Sequence, residues 1–297
     1  MTIRIHEQFN DMSIIEAIQK EIWGGPDVVP GHMLTAVLRN GGMLLAAEVG
    51  GEITGFTFSF PAPTNIPGAN GWKHQSHMLA VLPQFRGQGV GYALKQAQWE
   101  MAHRQGISLI TWTYDPLLSE NAHLNIRRLG AVCNTYIRDY YGEMNDTLNA
   151  GVASDRLQVN LWVESPRVAR GRSAKREMNS LQQYFALGAE VVNPLRFQTD
   201  EQDRPWPVPP EATWVGSSIA TLVGGAPPPD SPLPLLLEIP ADFYALKATQ
   251  PELARTWRAH IRALLEDHFA RGYQIVDFVY ETGEVSRGFY VLEKPRV

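Results

Sequence analysis

The stretch Leu79-Ala80-Val81-Leu82-Pro83-Gln84-Phe85-Arg86-Gly87-Gln88-Gly89-Val90-Gly91-Tyr92-Ala93-Leu94 passes from an apolar strand pattern through a glycine-rich turn into an amphipathic helix pattern. Glycines at 87, 89 and 91 remove the side chains that would hold a ligand away. Consecutive backbone N–H groups can then converge on an anion at the positive end of the following helix. A turn of this kind binds a pyrophosphate, and Arg86 at its mouth adds a fixed positive charge. Two nucleotide-type readings fail on spacing. A P-loop ends in Gly-Lys-Ser/Thr, whereas here Gly91 is followed by Tyr92 and Ala93. A dinucleotide fingerprint starting at Gly87 needs a glycine where Tyr92 stands, and no acidic ribose partner stands out downstream.

Around that turn the hydrophobic periodicity predicts alternating elements up to about residue 165. A short strand opens at Ile3–Ile5. Met12 to Trp23 carries Ile14, Ile15, Ile18 and Ile22 at helical spacing and is stopped by Gly24-Gly25-Pro26. A second helix, His32 to Arg39, ends at Asn40-Gly41-Gly42. Strands Met43–Val49 and Glu52–Phe60 are joined by Gly50-Gly51, a two-residue hairpin signal. Met78–Leu82 is the strand entering the turn, Val90–Arg104 the helix leaving it, and Ile107–Tyr114 a buried strand reached by a right-handed crossover. Leu117–Leu129 reads as a helix closed by Gly130, then Val132–Tyr141 and Leu157–Val163 as strands.

This order, together with Arg86-x-x-Gly89-x-Gly91, resembles the GNAT N-acetyltransferase superfamily, whose CoA-pyrophosphate signature is R/Q-x-x-G-x-G/A. The stretches Glu21–Asp27, Ser76–Val81, Trp112–Pro116, Asn121–Asn125, Arg128–Ala131 and Tyr140–Gly142 resemble a branch of that superfamily known as predicted acetyltransferases. Its members occur alongside N-acylamino-acid racemases. The resemblance covers residues 1 to about 165. It implies an α/β (α+β) fold with a mixed, mostly antiparallel sheet flanked by helices. It also implies acetyl-CoA or another acyl-CoA as cosubstrate, and transfer of an acetyl or succinyl group to the amine of a small metabolite, with an amino acid as the expected acceptor.

The resemblance further implies that the thioester lies beside the fourth strand, which carries a bulge and splays from the fifth. Backbone N–H groups near Leu79 and Val81 are thereby freed to bond the pantetheine and polarise the carbonyl. Arg86, Gly87, Gln88, Gly89, Val90, Gly91 and Tyr92 then form the pyrophosphate cradle. Asn121 fits the helix-start asparagine that contacts CoA, with Asn125 one turn on; a helix cap is the other reading of Asn121. An attacking amine must lose a proton. His77 is the first candidate base, since strand parity puts it on the face of Leu79 and Val81. A histidine hydrogen-bonded between strands is the alternative. Asp115, at the end of the fifth strand, is the second candidate, or a cap of the turn at Pro116; Glu120 and Asp27 are weaker. Many members of the superfamily carry a tyrosine four residues before the glycine that closes the next helix, but counting back from Gly130 gives Ile126. Tyr140 or Tyr141, from the following strand, then becomes the candidate phenol, unless the thiolate leaves solvated. Trp23 to His32 and Gly142 to Arg156 would border the acceptor. Trp23 and Tyr141 would form an apolar wall, and Arg127, Arg128 or Arg156 would face a carboxylate; Asp155 and Arg156 are adjacent and can also pair with each other.

A formal net charge of -5 argues against a nucleic-acid partner. The local basic cluster Arg167, Arg170, Arg172, Lys175 and Arg176 reads as a solvated turn and helix start. No apolar run is long enough to span a bilayer and no basic-then-apolar leader follows Met1, which predicts a cytoplasmic protein with no membrane role. Cys133 is the only cysteine, within a strand-like run, and reads as a buried structural thiol. His74 and His77 lie three apart, on opposite faces of a strand, so no metal is expected, and no G-x-S-x-G elbow occurs. Three regions are predicted: a catalytic domain over 1–165, a helix and Pro-rich connection over 166–234 (dense in proline from Arg196), and a β-α-β-β lobe over 235–297. The lobe echoes half of the first domain and leaves a homodimer open. The missing tyrosine keeps a second function in view, a non-catalytic acyl-CoA-binding or architectural module.

Overall fold

The computed structural model describes residues 1–24, 28–142, 152–172, 178–200, 203–210 and 233–295. Within them the chain divides into two compact units built from interleaved segments. One holds Met1–Trp112 and the described part of Asn160–Arg176. The other holds the described parts of Thr113–Glu143, Gly151–Val159 and Glu177–Val297. Both are mixed α/β, with mostly antiparallel strands and packed helices.

In the first unit, strands β1 (Ile3–His6), β2 (Met43–Val49), β3 (Glu52–Pro63), β4 (Trp72–Val81) and β5 (from Leu109) lie in that spatial order. Neighbours are antiparallel except β4 and β5, which run parallel. Gly50-Gly51 closes the β2–β3 hairpin with Val49 opposite Glu52. Helix α1 (Met12–Trp23) is capped by Asp11, whose carboxylate accepts from the Ser13 N–H at 3.2 Å. Together with α2 (Gly31–Leu38), it covers one face of the sheet. Ile15, Ile18 and Leu34 pack there on Leu44, Phe56, Phe58, Met78 and Ala80. Helix α3 (Val90–Arg104) covers the opposite face, with Val90 and Leu94 on Leu45 and Ala47 and beside Leu79 and Val81. Each fully buried side chain of this kind contributes about 1.5–3 kcal/mol through removal from water.

The second unit orders β7 (Arg156–Trp162, through Val159), β6 (Val132–Ile137), β12 (Gln274–Glu281), β13 (Arg287–Glu293), β11 (Leu235–Ile239) and β8 (Glu190–Val191). Helix α8 (Pro251–Ala270) buries Trp257, Ile261, Leu264 and Leu265, the register its apolar spacing predicts. Helices α6 (Leu181–Ala186) and α7 (Phe243–Thr249) were not expected from periodicity, being too short to show it. Helix α5 (Pro166–Arg172) belongs to the first unit and carries the start of the basic cluster; Lys175 and Arg176 fall outside the described residues.

The stretch from Arg196 is less irregular than its prolines imply. A hairpin forms from β9 (Arg196–Thr199) and β10 (Pro205–Val208). Pro205 and Pro207 alternate along β10, so neither has to donate where Trp206, between them, does. Residues 211–232, with Gly224-Gly225 and Pro227–Pro229, lie outside the described residues.

Candidate active site

The glycine turn is built as its sequence requires. After β4, Pro83–Phe85 make a single 3-10 turn, and Gly87 and Gly89 then adopt φ of 72° and 87°, with Gly89 capping α3 in the left-handed conformation. A side chain is disfavoured there by backbone geometry. Yet a Cβ at either position would meet no atom within 4 Å, so the bare backbone faces open space. The first N–H groups of α3 have no acceptor within the helix and carry its positive dipole end. Arg86 is exposed and donates from Nε to the Val81 carbonyl at 3.1 Å, which ties the mouth of the turn to the end of β4. Gln88 braces the turn from within through Nε2 to the Gln84 carbonyl at 2.8 Å. Val90 is buried and packs its side chain into the core under the turn.

Beside the turn, β4 and β5 part. Their parallel pairing consists of His74 opposite Ile110 and Gln75 opposite Thr111. On its other edge β4 pairs with β3, and the Leu82 N–H donates to the Thr54 carbonyl at 2.8 Å. Alternation along an antiparallel ladder then makes Leu79–Thr57 and Val81–Gly55 the wide pairs, so the N–H groups of Leu79 and Val81 point away from β3. They face the side from which β5 has withdrawn.

The β3–β4 register slips between Phe58/Met78 and Ser59/Ser76, which makes His77 the extra residue of a bulge. The bulge corrects the parity argument. His77 does not share a face with Leu79 and Val81, which lie on the α3 side. Its ring instead stands 6.3 Å from Phe58 and 6.2 Å from Phe60, on the α1–α2 side with Met78. One edge is open to solvent, and desolvation against the two phenyl rings lowers its pKa below the usual imidazole value. His77 is therefore neutral and able to accept a proton at physiological pH. His74, by contrast, is buried, with Nδ1 at 3.3 Å from Ser59 Oγ and Nε2 at 2.7 Å from Gln105 Oε1, a core histidine. Among the described residues no group of three His, Cys, Asp or Glu could hold a metal.

Sequence reasoning missed the residues beneath the bulge. Lys95, on the inner face of α3, is buried. Its ammonium donates to Ser76 Oγ at 3.0 Å and Gln98 Oε1 at 2.7 Å, and lies 3.6 Å from the centroid of the Trp112 ring on β5. Gln98 in turn donates to Ser76 Oγ at 3.1 Å and Thr57 Oγ1 at 3.3 Å, and the Thr57 hydroxyl donates to the Met78 carbonyl at 2.9 Å. This network holds the residues on both sides of His77. Desolvation brings the Lys95 pKa down to about 7. The available signal was a lysine and a glutamine interrupting the apolar stripe of Val90, Leu94 and Ala102.

Most of the remaining candidates belong to the second unit. Asp115 uses Oδ1 to accept from the Leu117 N–H at 2.9 Å, the turn-capping role, and Oδ2 to pair with Arg258 on α8. With both oxygens engaged it is an anchored carboxylate and not a free base. Glu120 is exposed. Asp27 and residues 143–151, from the proposed acceptor borders, lie outside the described residues. Trp23 is half-buried against Phe56 in the α1–α2 core of the first unit.

β6 stops at Ile137, so Tyr140 and Tyr141 stand in a turn and not on the strand that was expected. Asp139 there has φ of 44°, and the Gly142 N–H returns to the Asp139 carbonyl. Tyr141 is exposed, with the Arg156 guanidinium 5.2 Å from its ring centroid. Asn121 lies inside helix α4 (Ser119–Ala122), whose N-cap is Leu118, so the capping reading fails. A π-helical segment, His123–Arg128, follows and breaks the i, i+4 relation: Asn125 is buried whereas Asn121 is half-exposed. Ile126 is fully buried.

Arg127 is committed elsewhere, at 3.1 Å to Asp277 Oδ2 and 2.8 Å to the Asn179 carbonyl, while Arg128 is exposed. The expected Asp155–Arg156 side-chain pair does not form. Asp155 takes two bonds from Arg262, both 2.8 Å, and one from the Tyr136 hydroxyl at 2.6 Å; Arg156 donates to the Asp155 backbone carbonyl at 2.9 Å and not to its carboxylate. Cys133 is buried and its thiol pKa is pushed up to about 12 by desolvation, an inert structural group.

Residues 13–130 match the model of the acetyltransferase (GNAT) family. No curated protein sequence is similar to the chain. Solved structures similar to it include the ribosomal-protein-S18-alanine N-acetyltransferase of Escherichia coli, at 13% identity and a TM-score of 0.44, covering 60% of this chain and 100% of that one. An N-acetyltransferase of Staphylococcus aureus Mu50 is 15% identical at a TM-score of 0.44, covering 55% and 100%. A GNAT family acetyltransferase of Elizabethkingia anophelis with acetyl-CoA bound is 15% identical at 0.40, covering 54% and 97%. No helix among the described residues is long and apolar enough to cross a membrane. The similarity to the acetyltransferase (GNAT) family thus lies in residues 13–130, which hold the glycine turn, β4 and α3.

Proposed function

We propose that this chain is an acyl-CoA-dependent N-acyltransferase that moves an acetyl or succinyl group to the amine of a small metabolite, with an amino acid as the favoured class. The observation that carries the reading is the pairing of two features in one unit. A glycine cradle opens to space at a helix N-terminus, and beside it β4 points the Leu79 and Val81 N–H groups into the gap left by β5. Arg86 and the amides of Gly87 to Tyr92 suit a pyrophosphate, and the two β4 amides suit a pantetheine amide and a thioester carbonyl. In this reading the amine attacks the carbonyl carbon, the C–S bond breaks, and His77 accepts the proton that the amine loses. The thiolate takes its proton from solvent, since Ile126 stands where a phenol would. Acetyl-CoA and succinyl-CoA offered with a panel of D- and L-amino acids should release free thiol only when an accepted amine is present. CoA binding with no amine-dependent thiol release would establish the non-catalytic module instead.

His77→Ala is expected to lower kcat/KM by about 10²–10³ and to leave the Kd for acyl-CoA unchanged. The depressed pKa keeps the wild-type base neutral at physiological pH, so the loss is full there and shrinks in acid, once the imidazole of the wild type is itself protonated. A pH–rate profile of both proteins checks this; an equal loss at every pH would mark His77 as structural.

A further inference from the structure

The second unit contains a guanidinium whose hydrogen bonding is incomplete. Arg258 projects from α8 and is only 4% exposed; its Nη2 donates to Asp115 Oδ2, while Nε and Nη1 are buried with no acceptor among the described residues. Its Cζ lies 5.6 Å from the Phe243 ring centroid, which flanks the group without accepting those protons in its plane. Asp155 cannot complete it, because that carboxylate is taken by Arg262, Tyr136 and the Asp139 N–H. A second guanidinium, Arg156, is 7% exposed and stands 4.0 Å from the same Asp115 oxygen, with the exposed Tyr141 ring above it. Arg258, Asp115, Arg156 and Tyr141 thus form a series from the interior to the surface of one unit.

Buried donors without acceptors are costly, and a planar guanidinium is completed best by a planar carboxylate. We propose that Arg258, with Arg156, forms a binding site for a carboxylate group of a small-molecule ligand, which supplies the acceptor that the described residues do not. A carboxylate fits better than a phosphate dianion, because Asp115 and Asp155 already place two negative charges alongside. The proposal rests on the acyl-transfer reading for the two sources of such a group: the acceptor amino acid, or the free end of a dicarboxylic acyl chain. Binding at Arg258 does not itself require transfer.

Calorimetry on the full chain tests it in two arms. One titrates a panel of α-amino acids against the amines that lack their carboxylate; the other titrates succinyl-CoA against acetyl-CoA. The carboxylated member of one arm should bind roughly tenfold more tightly or better. R258K, which keeps the charge and loses the planar donor edge, should abolish that preference. If circular dichroism shows R258K unfolded, R156K is read in the same way. Which arm shows the preference identifies the source. No preference in either arm, or one that survives R258K or its stand-in unchanged, overturns the site. Acetyl-CoA binding with no carboxylate preference would remove this inference and leave the acyl-transfer reading standing. Amino-acid preference with no binding of any acyl-CoA would do the reverse.

Discussion

Gly89→Glu should abolish measurable acyl-CoA binding, a loss of about 10²-fold or more in Kd, while the protein stays folded. Three effects act together. The left-handed conformation of Gly89, at φ of 87°, imposes about 1–2 kcal/mol on any residue with a Cβ. The new side chain enters the space that the bare backbone leaves open. Its carboxylate then sits at the positive end of α3, where favourable dipole interaction holds it against displacement by a phosphate. Since no atom lies within 4 Å of the new Cβ, nothing in the core has to move, and thermal unfolding should change by only the backbone strain. Gly89→Ala separates the contributions: it carries the strain without the charge and should weaken binding much less. Titration of both variants with CoA and acetyl-CoA is the measurement. Full affinity in Gly89→Glu would show that the turn does not hold the pyrophosphate.

What the sequence discloses about this site follows from how local each interaction is. The turn was legible because its requirements lie within ten residues: α3 begins at Val90 and ends at Arg104, as periodicity and Gly106 predict. The hairpin at Gly50-Gly51 was legible for the same reason. The bulge was not assigned to a residue, because a register slip is a property of two strands, and alternation along β4 alone puts His77 on the wrong face. The partners of Asp115 were hidden by distance along the chain, since Arg258 lies on a helix that lone periodicity identified only by its apolar stripe. A buried arginine reads there as one more surface charge. Asn121 and Asn125 were placed on one face by assuming an α-helix, and the π-helical segment from His123 breaks that assumption.

Lys95→Met should remove a pH dependence of stability that the wild-type chain carries between pH 7 and 9. Burial lowers the Lys95 pKa to about 7, against 10.5 in an exposed chain. Between those values the unfolded state holds a proton that the folded state has released, so folding releases a proton and stability rises with pH. The slope is about 1.4 kcal/mol per pH unit. Below pH 7 both states are protonated and the full penalty for the buried ammonium is present, eased by Ser76, Gln98 and the Trp112 ring. Methionine keeps the volume and does not titrate. It also leaves Gln98 Oε1 without its donor, a cost of about 1–3 kcal/mol that is the same at every pH and so cancels from the slope. Cys133, with its thiol pushed up to about 12, adds an opposite trend only above pH 9, and it does so in both proteins. Urea unfolding at pH 7, 8 and 9 should therefore give wild-type and variant stabilities that diverge by about 2–3 kcal/mol across the range. Parallel curves would mean that Lys95 stays charged in the folded protein, and that the groups flanking His77 rest on a permanent buried cation.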